Sequence, residues 1–138
     1  MITVLLADDH GIIRDALRYL LEAQGDIQIV ATAADGQEAV EQAMLYCPDV
    51  AVMDISMPRM DGIEATKRIC GVCPQTQVVM LTIYNTGEHI QHALQAGAAG
   101  YVLKDAAGQE LVAAVRALYN GGHYFSSSID TRRTRRGG

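Results

Sequence analysis

The sequence predicts a single α/β domain, a doubly wound parallel sheet of five strands with five helices on its two faces. Three observations lead there. Five short apolar runs recur at similar intervals along the 138 residues. These runs are apolar throughout instead of alternating with polar residues, which marks strands covered on both faces, as parallel strands are. Every interval after a run places its hydrophobic residues at helical spacing, so strand and helix alternate five times.

The first strand covers residues 3–7, and Ile2-Thr3-Val4-Leu5-Leu6 has strand character from the N-terminus. Ile12, Ile13, Ala16, Leu17, Leu20 and Leu21 repeat at i, i+1, i+4, i+5, one face of a first helix. Residues 27–31 form the second strand. Ala39, Val40, Ala43 and Met44 mark the second helix, opened by the capping box Asp35-Gly-Gln-Glu38. Residues 50–53 are the third strand. Ile63, Thr66, Lys67 and Ile69 give a weaker third helix, behind a second box, Asp61-Gly-Ile-Glu64. Residues 77–81 and 101–103 are the fourth and fifth strands. Ile90, Ala93 and Leu94 mark the helix between them, and Leu111, Val112, Val115 and Leu118 the last one. The helices differ in length and composition, so the rhythm is not a sequence repeat.

With 49% hydrophobic and 20% charged residues, the chain has apolar material for a core of its own. No apolar run reaches the ~18 residues of a membrane span, and the N-terminus reads as a strand, not a cleavable leader. A cytoplasmic protein without a membrane role is expected. The net charge of −5 conceals an asymmetry. Residues 1–129 hold 7 Lys/Arg against 15 Asp/Glu, a balance of −8, whereas residues 130–138 add four Arg and one Asp. So acidic a body repels nucleic acid, and any DNA contact belongs elsewhere. Three cysteines make no disulfide framework. Cys70-Gly-Val-Cys73 has redox-motif spacing, but it stands at a helix end before Pro74, where the helix dipole disfavours a thiolate. A tetrahedral zinc site lacks its fourth ligand. Helix-end packing is the expected role of the pair.

Ligands of an open parallel sheet bind beyond the carboxyl ends of its strands. The first strand ends in Asp8-Asp9, the third in Asp54, the fourth in Thr82 and the fifth in Lys104; the second offers Thr32 and small residues. Three carboxylates, a hydroxyl and an ammonium therefore converge. Unit charges 4 Å apart repel by about 1 kcal/mol in water and about 4 kcal/mol at an effective dielectric near 20. Such a cluster calls for a cation, and all-oxygen ligation suits Mg²⁺, which commonly brings a phosphate with it. Lys104 supplies a point charge for a phosphoryl oxygen, and Thr82 a hydrogen bond for another. Beside them Asp54 can act as a nucleophile and become an aspartyl phosphate. Pro58 shapes the turn next to it.

These residues resemble the receiver domains of response regulators, the phosphoacceptors of two-component signalling, over residues 2–125. The matching motifs are Asp8-Asp9, Asp54-Ile-Ser-Met-Pro58 with Asp61-Gly62, Leu81-Thr82, and Gly97-Ala98 with Gly100-Tyr101 and Lys104. Asp8-Asp9-His10 with Arg14, and Gly100-Tyr-Val-Leu-Lys-Asp105, are most similar to the NarL/FixJ-type subfamily, whose members usually carry a C-terminal helix-turn-helix. The resemblance implies a flavodoxin-like strand order, 2-1-3-4-5. It implies that Asp54 takes a phosphoryl group from a phosphohistidine of a sensor histidine kinase. Mg²⁺ would be bound by Asp9 directly, by Asp8 largely through water, by Asp54 and by the backbone carbonyl of Ser56. Lys104 and Thr82 would hold the phosphoryl oxygens, and Tyr101 would turn inward as Thr82 moves. Ser56 and Tyr84 occupy positions that tune dephosphorylation, turn residue and part-exposed aromatic being their plainer roles. No activity beyond self-phosphorylation and self-dephosphorylation is implied. The expected output is homodimerisation, with promoter DNA bound by a helix-turn-helix domain absent from this chain. The alternative is a stand-alone receiver or phosphorelay intermediate.

Rival folds of similar rhythm fit less well. A flavin-binding flavodoxin wants a hydroxyl-rich phosphate loop where Asp8-Asp9-His10 stands. A haloacid-dehalogenase-like phosphatase wants a second aspartate where Ser56 stands. The chain also departs from the receiver pattern. Gly11 replaces a proline at the first helix start, and Ala107-Gly108 replaces a Ser-Pro cap before the last helix. A missing cap costs about 1 kcal/mol, which Asp105 is placed to offset in part. If this helix belongs to the dimer face, dimerisation would be weak. Imidazole suits Mg²⁺ less than carboxylate and water, so His10 is not expected to be a ligand. His89 and His92 share a helical face, expected to be solvated, and His123 belongs to the closing segment. Residues 1–125 are read as the domain and 126–138 as a linker, its arginines solvated.

Overall fold

In the computed structural model, which describes residues 1–126, strands and helices alternate as expected. The order is β1 (Ile2–Ala7), α1 (Gly11–Glu22), β2 (Ile27–Ala33), α2 (Gly36–Tyr46), β3 (Val50–Asp54) and α3 (Gly62–Val72). There follow β4 (Gln77–Thr82), α4 (Gly87–Ala96), β5 (Gly100–Leu103), a 3₁₀ turn (Lys104–Ala106), α5 (Ala107–Tyr119) and β6 (Tyr124–Phe125). All neighbouring strands are parallel, in the order β2-β1-β3-β4-β5-β6. The sixth strand is a correction to the five expected. Only two residues long, it has no periodicity to betray it. It pairs Gly100 with Tyr124 and Tyr101 with Phe125. Ser126, assigned to the linker by sequence, is buried; its amide donates to the Tyr101 carbonyl (2.9 Å) and its hydroxyl accepts from Leu103 N (3.0 Å). The packed unit therefore reaches Ser126. The arginine-rich segment lies outside the described residues.

Each apolar strand feeds two cores. Leu5, Ala7, Ala51, Met53, Val78 and Met80 face one layer with α2, α3 and α4. Val4, Leu6, Val50, Val52, Val79 and Leu81 face the other with α1 and α5. The alternation of a pleated strand is present but invisible in composition, because both faces are covered. Among the described residues, no helix is long and apolar enough to cross a membrane.

The helix starts depart from expectation in detail. The Asp35 side chain accepts from Glu38 N (2.8 Å), but Glu38 reaches back to Ala34 N (3.3 Å), one residue short of the cap. At the second box only the forward half forms: Asp61 accepts from Glu64 N (2.9 Å), while the Glu64 carboxylate pairs with Arg68. α4 has a cap not foreseen, Thr86, whose hydroxyl accepts from His89 N (3.3 Å). Asp105 does not cap α5. It sits in the 3₁₀ turn, and Ala106 precedes the helix with no side-chain cap. The turn aligns the backbone in place of a cap.

Candidate functional site

Four chain segments meet beyond the carboxyl ends of β1, β3, β4 and β5. Asp54 is the last residue of β3 and is 2% exposed; Asp8, just past β1, is fully buried, and Asp9 beside it is exposed. Lys104 leaves β5 and turns inward, its Nζ 3.0 Å from Asp54 Oδ2 and 3.3 Å from Asp8 Oδ2. One ammonium thus bridges two buried carboxylates. The Ser56 amide donates to Asp54 Oδ1 (3.2 Å). His10 holds the other side of Asp8, its amide donating to Oδ1 (2.8 Å) and its Nδ1 lying 3.0 Å from the same oxygen and 3.1 Å from Asp9 Oδ1. Arg14 donates to the Asp8 carbonyl (2.7 Å), which fixes the backbone where β1 turns into α1.

Local sequence makes this geometry. The loop after Asp54 closes through Gly62 N on the Ile55 carbonyl (2.8 Å) and Met60 N on the Pro58 carbonyl (2.7 Å). Gly62 lies directly against the Asp54 carbonyl, where a β-carbon would collide with backbone. Arg59, in the left-handed region at φ 66°, reaches across to Asp35 (2.6 and 2.9 Å) and ties the loop to α2.

Burial pushes the Asp54 carboxyl up to about 6; the Lys104 pair pulls it down, and the Asp8 charge adds to the rise. Burial disfavours the Lys104 ammonium, but Asp54 and Asp8 outweigh it and hold its pKa above the usual lysine value. One oxygen, Asp8 Oδ2, is buried with no hydrogen bond, its nearest cation being Lys104 at 3.3 Å, an ion pair without hydrogen-bond geometry. Oxygens of Asp8, Asp9 and Asp54 and a nitrogen of His10 all lie within 4.8 Å of one another. A buried oxygen lacking a donor, set among further carboxylates, fits a hard divalent cation such as Mg²⁺.

Thr82 ends β4, and its hydroxyl accepts from Tyr84 N (3.1 Å). Tyr101 lies inward, 1% exposed, and donates to the Tyr84 carbonyl (2.8 Å). Burial raises its phenol to about 12, so it stays a donor across the physiological range. Ser56 Oγ donates to the Tyr84 hydroxyl (3.3 Å), bridging the loops after β3 and β4. His89 corrects an expectation: it is not a solvated side chain but half-buried, stacked on Tyr84 with ring centroids 4.2 Å apart and planes 4° from parallel. His92 is exposed, as expected. Both line a cleft of ≈ 660 Å³ with Asp9, Ser56, Met57 and Tyr84. Sequence reasoning reads Arg14 only as part of a subfamily motif, without its contact to Asp8; it misses Arg59 and the His89 stack, and only the Thr86 cap, which sets where α4 starts, signals the last.

The family model for the response regulator receiver domain matches residues 4–116. The chain belongs to this family. The receiver is 40% identical over 129 residues to the oxygen regulatory protein NreC of Staphylococcus aureus, covering 93% of this chain and 59% of that protein. It therefore spans somewhat over half the length of the curated relatives it matches. Among solved structures it resembles a LuxR-family two-component response regulator from Aurantimonas sp. SI85-9A1 (TM-score 0.92, 33% identity, 99% of this chain and 97% of that one). It also resembles the receiver domain of a NarL response regulator from Mycobacterium tuberculosis (TM-score 0.83, 33% identity, 87% and 97%). The receiver is thus of the NarL/LuxR type of two-component response regulator.

Proposed function

We propose that Asp54 is the phosphoacceptor of this receiver. The observation that carries the reading is the Lys104 ammonium held between the Asp54 and Asp8 carboxylates at the sheet edge. An Asp54 oxygen attacks the phosphorus of a phosphohistidine on a sensor histidine kinase; the P–N bond breaks and the imidazole leaves. Lys104 follows the developing charge onto a phosphoryl oxygen, and Thr82 turns from the Tyr84 amide to bind another. Asp9, Asp8, Asp54 and the Ser56 carbonyl would hold Mg²⁺, which when bound neutralises charge on the transferring group. Incubation with a small acyl phosphate and Mg²⁺ should add the mass of one phosphoryl group, and a chelator should prevent it. A chain that gains no mass would refute the assignment.

The switch runs through Thr82 and Tyr101, which meet at the backbone of Tyr84. Moving Thr82 frees the Tyr84 amide and repacks the loop that Tyr101 holds. The altered α4–β5–α5 face then favours a homodimer, with promoter DNA bound by a helix-turn-helix outside residues 1–125. The greater length of the curated relatives supports this output over a stand-alone receiver. Ser56 and Tyr84 set the phosphoryl lifetime by covering the water side of Asp54. Tyr84→Ala should therefore shorten it severalfold, read as decay of the phosphorylated mass after chelation; an unchanged decay would remove Tyr84 from that role.

A further inference from the structure

A pair of cysteines lies at the opposite end of the sheet from Asp54. Cys47 ends α2 before β3 begins, and Cys73 ends α3 before β4 begins. Their sulfur atoms are 2.8 Å apart, though 26 positions separate them in sequence. This pair, and not Cys70 with Cys73, is the one the fold brings together; Cys70 Sγ points to the Gly97 carbonyl at the end of α4 (3.7 Å). Both helix ends converge on one acceptor, the Ala43 carbonyl, bonded by Cys47 N (2.7 Å) and by the Cys73 thiol (3.2 Å). The backbone of Cys47 adopts φ 40°, a left-handed helix end held by this residue without a glycine.

We propose that Cys47 and Cys73 are a thiol–disulfide exchange site, forming a reversible disulfide with a low-molecular-weight disulfide such as oxidised glutathione as co-reactant. Cys47 is exposed and Cys73 buried, which assigns the order of events. The Cys47 thiolate attacks one sulfur of the external disulfide; that S–S bond breaks, and one half leaves as a thiolate. The Cys73 sulfur, giving its proton to solvent, then attacks Cys47 Sγ in the mixed disulfide and expels the second half. Two protein thiols are oxidised, and one external disulfide is reduced to two thiols. Burial and the Cys47 sulfur push the Cys73 thiol up to about 11, so the second step quickens as pH rises, while the short approach favours it over escape. A sulfur–sulfur bond at about 2.0 Å needs only a small further approach. The product joins the ends of α2 and α3 and restricts the unfolded chain.

The test uses the full chain carrying Cys70→Ser, which leaves two thiols. After treatment with oxidised glutathione and an alkylating agent, both should escape alkylation and the monomer should lose the mass of two hydrogens. A thiol reductant should reverse this, and the oxidised form should melt roughly 5–10 °C higher. The unaltered chain should keep one alkylated cysteine. Two alkylated thiols after oxidation, a lasting glutathione adduct, or only intermolecular dimers would each overturn the proposal.

Discussion

Lys104→Met is expected to destabilise the metal-free receiver by about 3–5 kcal/mol at pH 8 and to slow phosphoryl uptake by about 10²–10³-fold. Among the described residues, the lysine is the one cation within ion-pair distance of Asp54, and its side chain is 15% exposed against 3% and 0% for Asp54 and Asp8. Removing it leaves two buried carboxylates facing each other, the situation in which breaking an ion pair costs most. Methionine keeps the length of the stem, so lost packing contributes little. The destabilisation should shrink as pH falls toward about 6, because without the ammonium Asp54 takes up its proton at a higher pH than it does beside Lys104. Mg²⁺ should restore stability in part but not the rate, because uptake also needs the Lys104 ammonium, beside the metal, on a phosphoryl oxygen. Urea unfolding with and without Mg²⁺, alongside uptake from an acyl phosphate, measures both. Wild-type stability and rate in this variant would show that Lys104 is an incidental neighbour.

Asp54→Asn carries an effect of opposite sign. Folding raises this carboxyl from 3.8 to about 6, so the folded chain binds the proton more tightly than the unfolded chain. The associated stability is complete below pH 3.8 and is lost as pH rises through about 6. That interval corresponds to about 3 kcal/mol, the upper limit of what the ionised Asp54 withdraws at pH 7.5. Asparagine fills the same space without a charge. The variant should therefore be more stable than wild type by up to about 3 kcal/mol at pH 7.5, and the two should converge near pH 4. Adding Mg²⁺ at pH 7.5 should narrow the gap, since it stabilises the ionised form. Parallel stability–pH curves for the two proteins would contradict the electrostatic origin.

Much of this site could be read without coordinates because its signal lies at strand ends. Apolar runs locate the strands, a parallel sheet puts their carboxyl ends at one edge, and the polar residues that follow are then brought together by topology. Asp8, Asp54 and Lys104 meet for that reason. The parts that were not legible depend on contacts between elements. Nothing local to Tyr124 and Phe125 distinguishes a two-residue strand from a loop; the pairing is created by β5. The spacing of Cys70 and Cys73 drew attention to the wrong pair, because proximity is set by where α2 and α3 end. His89 looked like one residue of a polar helix face, yet the turn after β4 brings Tyr84 onto its ring. The α5 start lacked a cap in sequence and lacks one in the fold, the 3₁₀ turn taking its place.

One carboxylate, Asp54, is proposed to receive the phosphoryl group. The most direct measurement treats wild type and Asp54→Asn side by side with a phosphorylated histidine kinase or an acyl phosphate in Mg²⁺, then weighs each chain intact. A single phosphoryl adduct is expected on wild type and none on the variant, with both chains folded. Equal labelling of the two would place the acceptor elsewhere and contradict the site described.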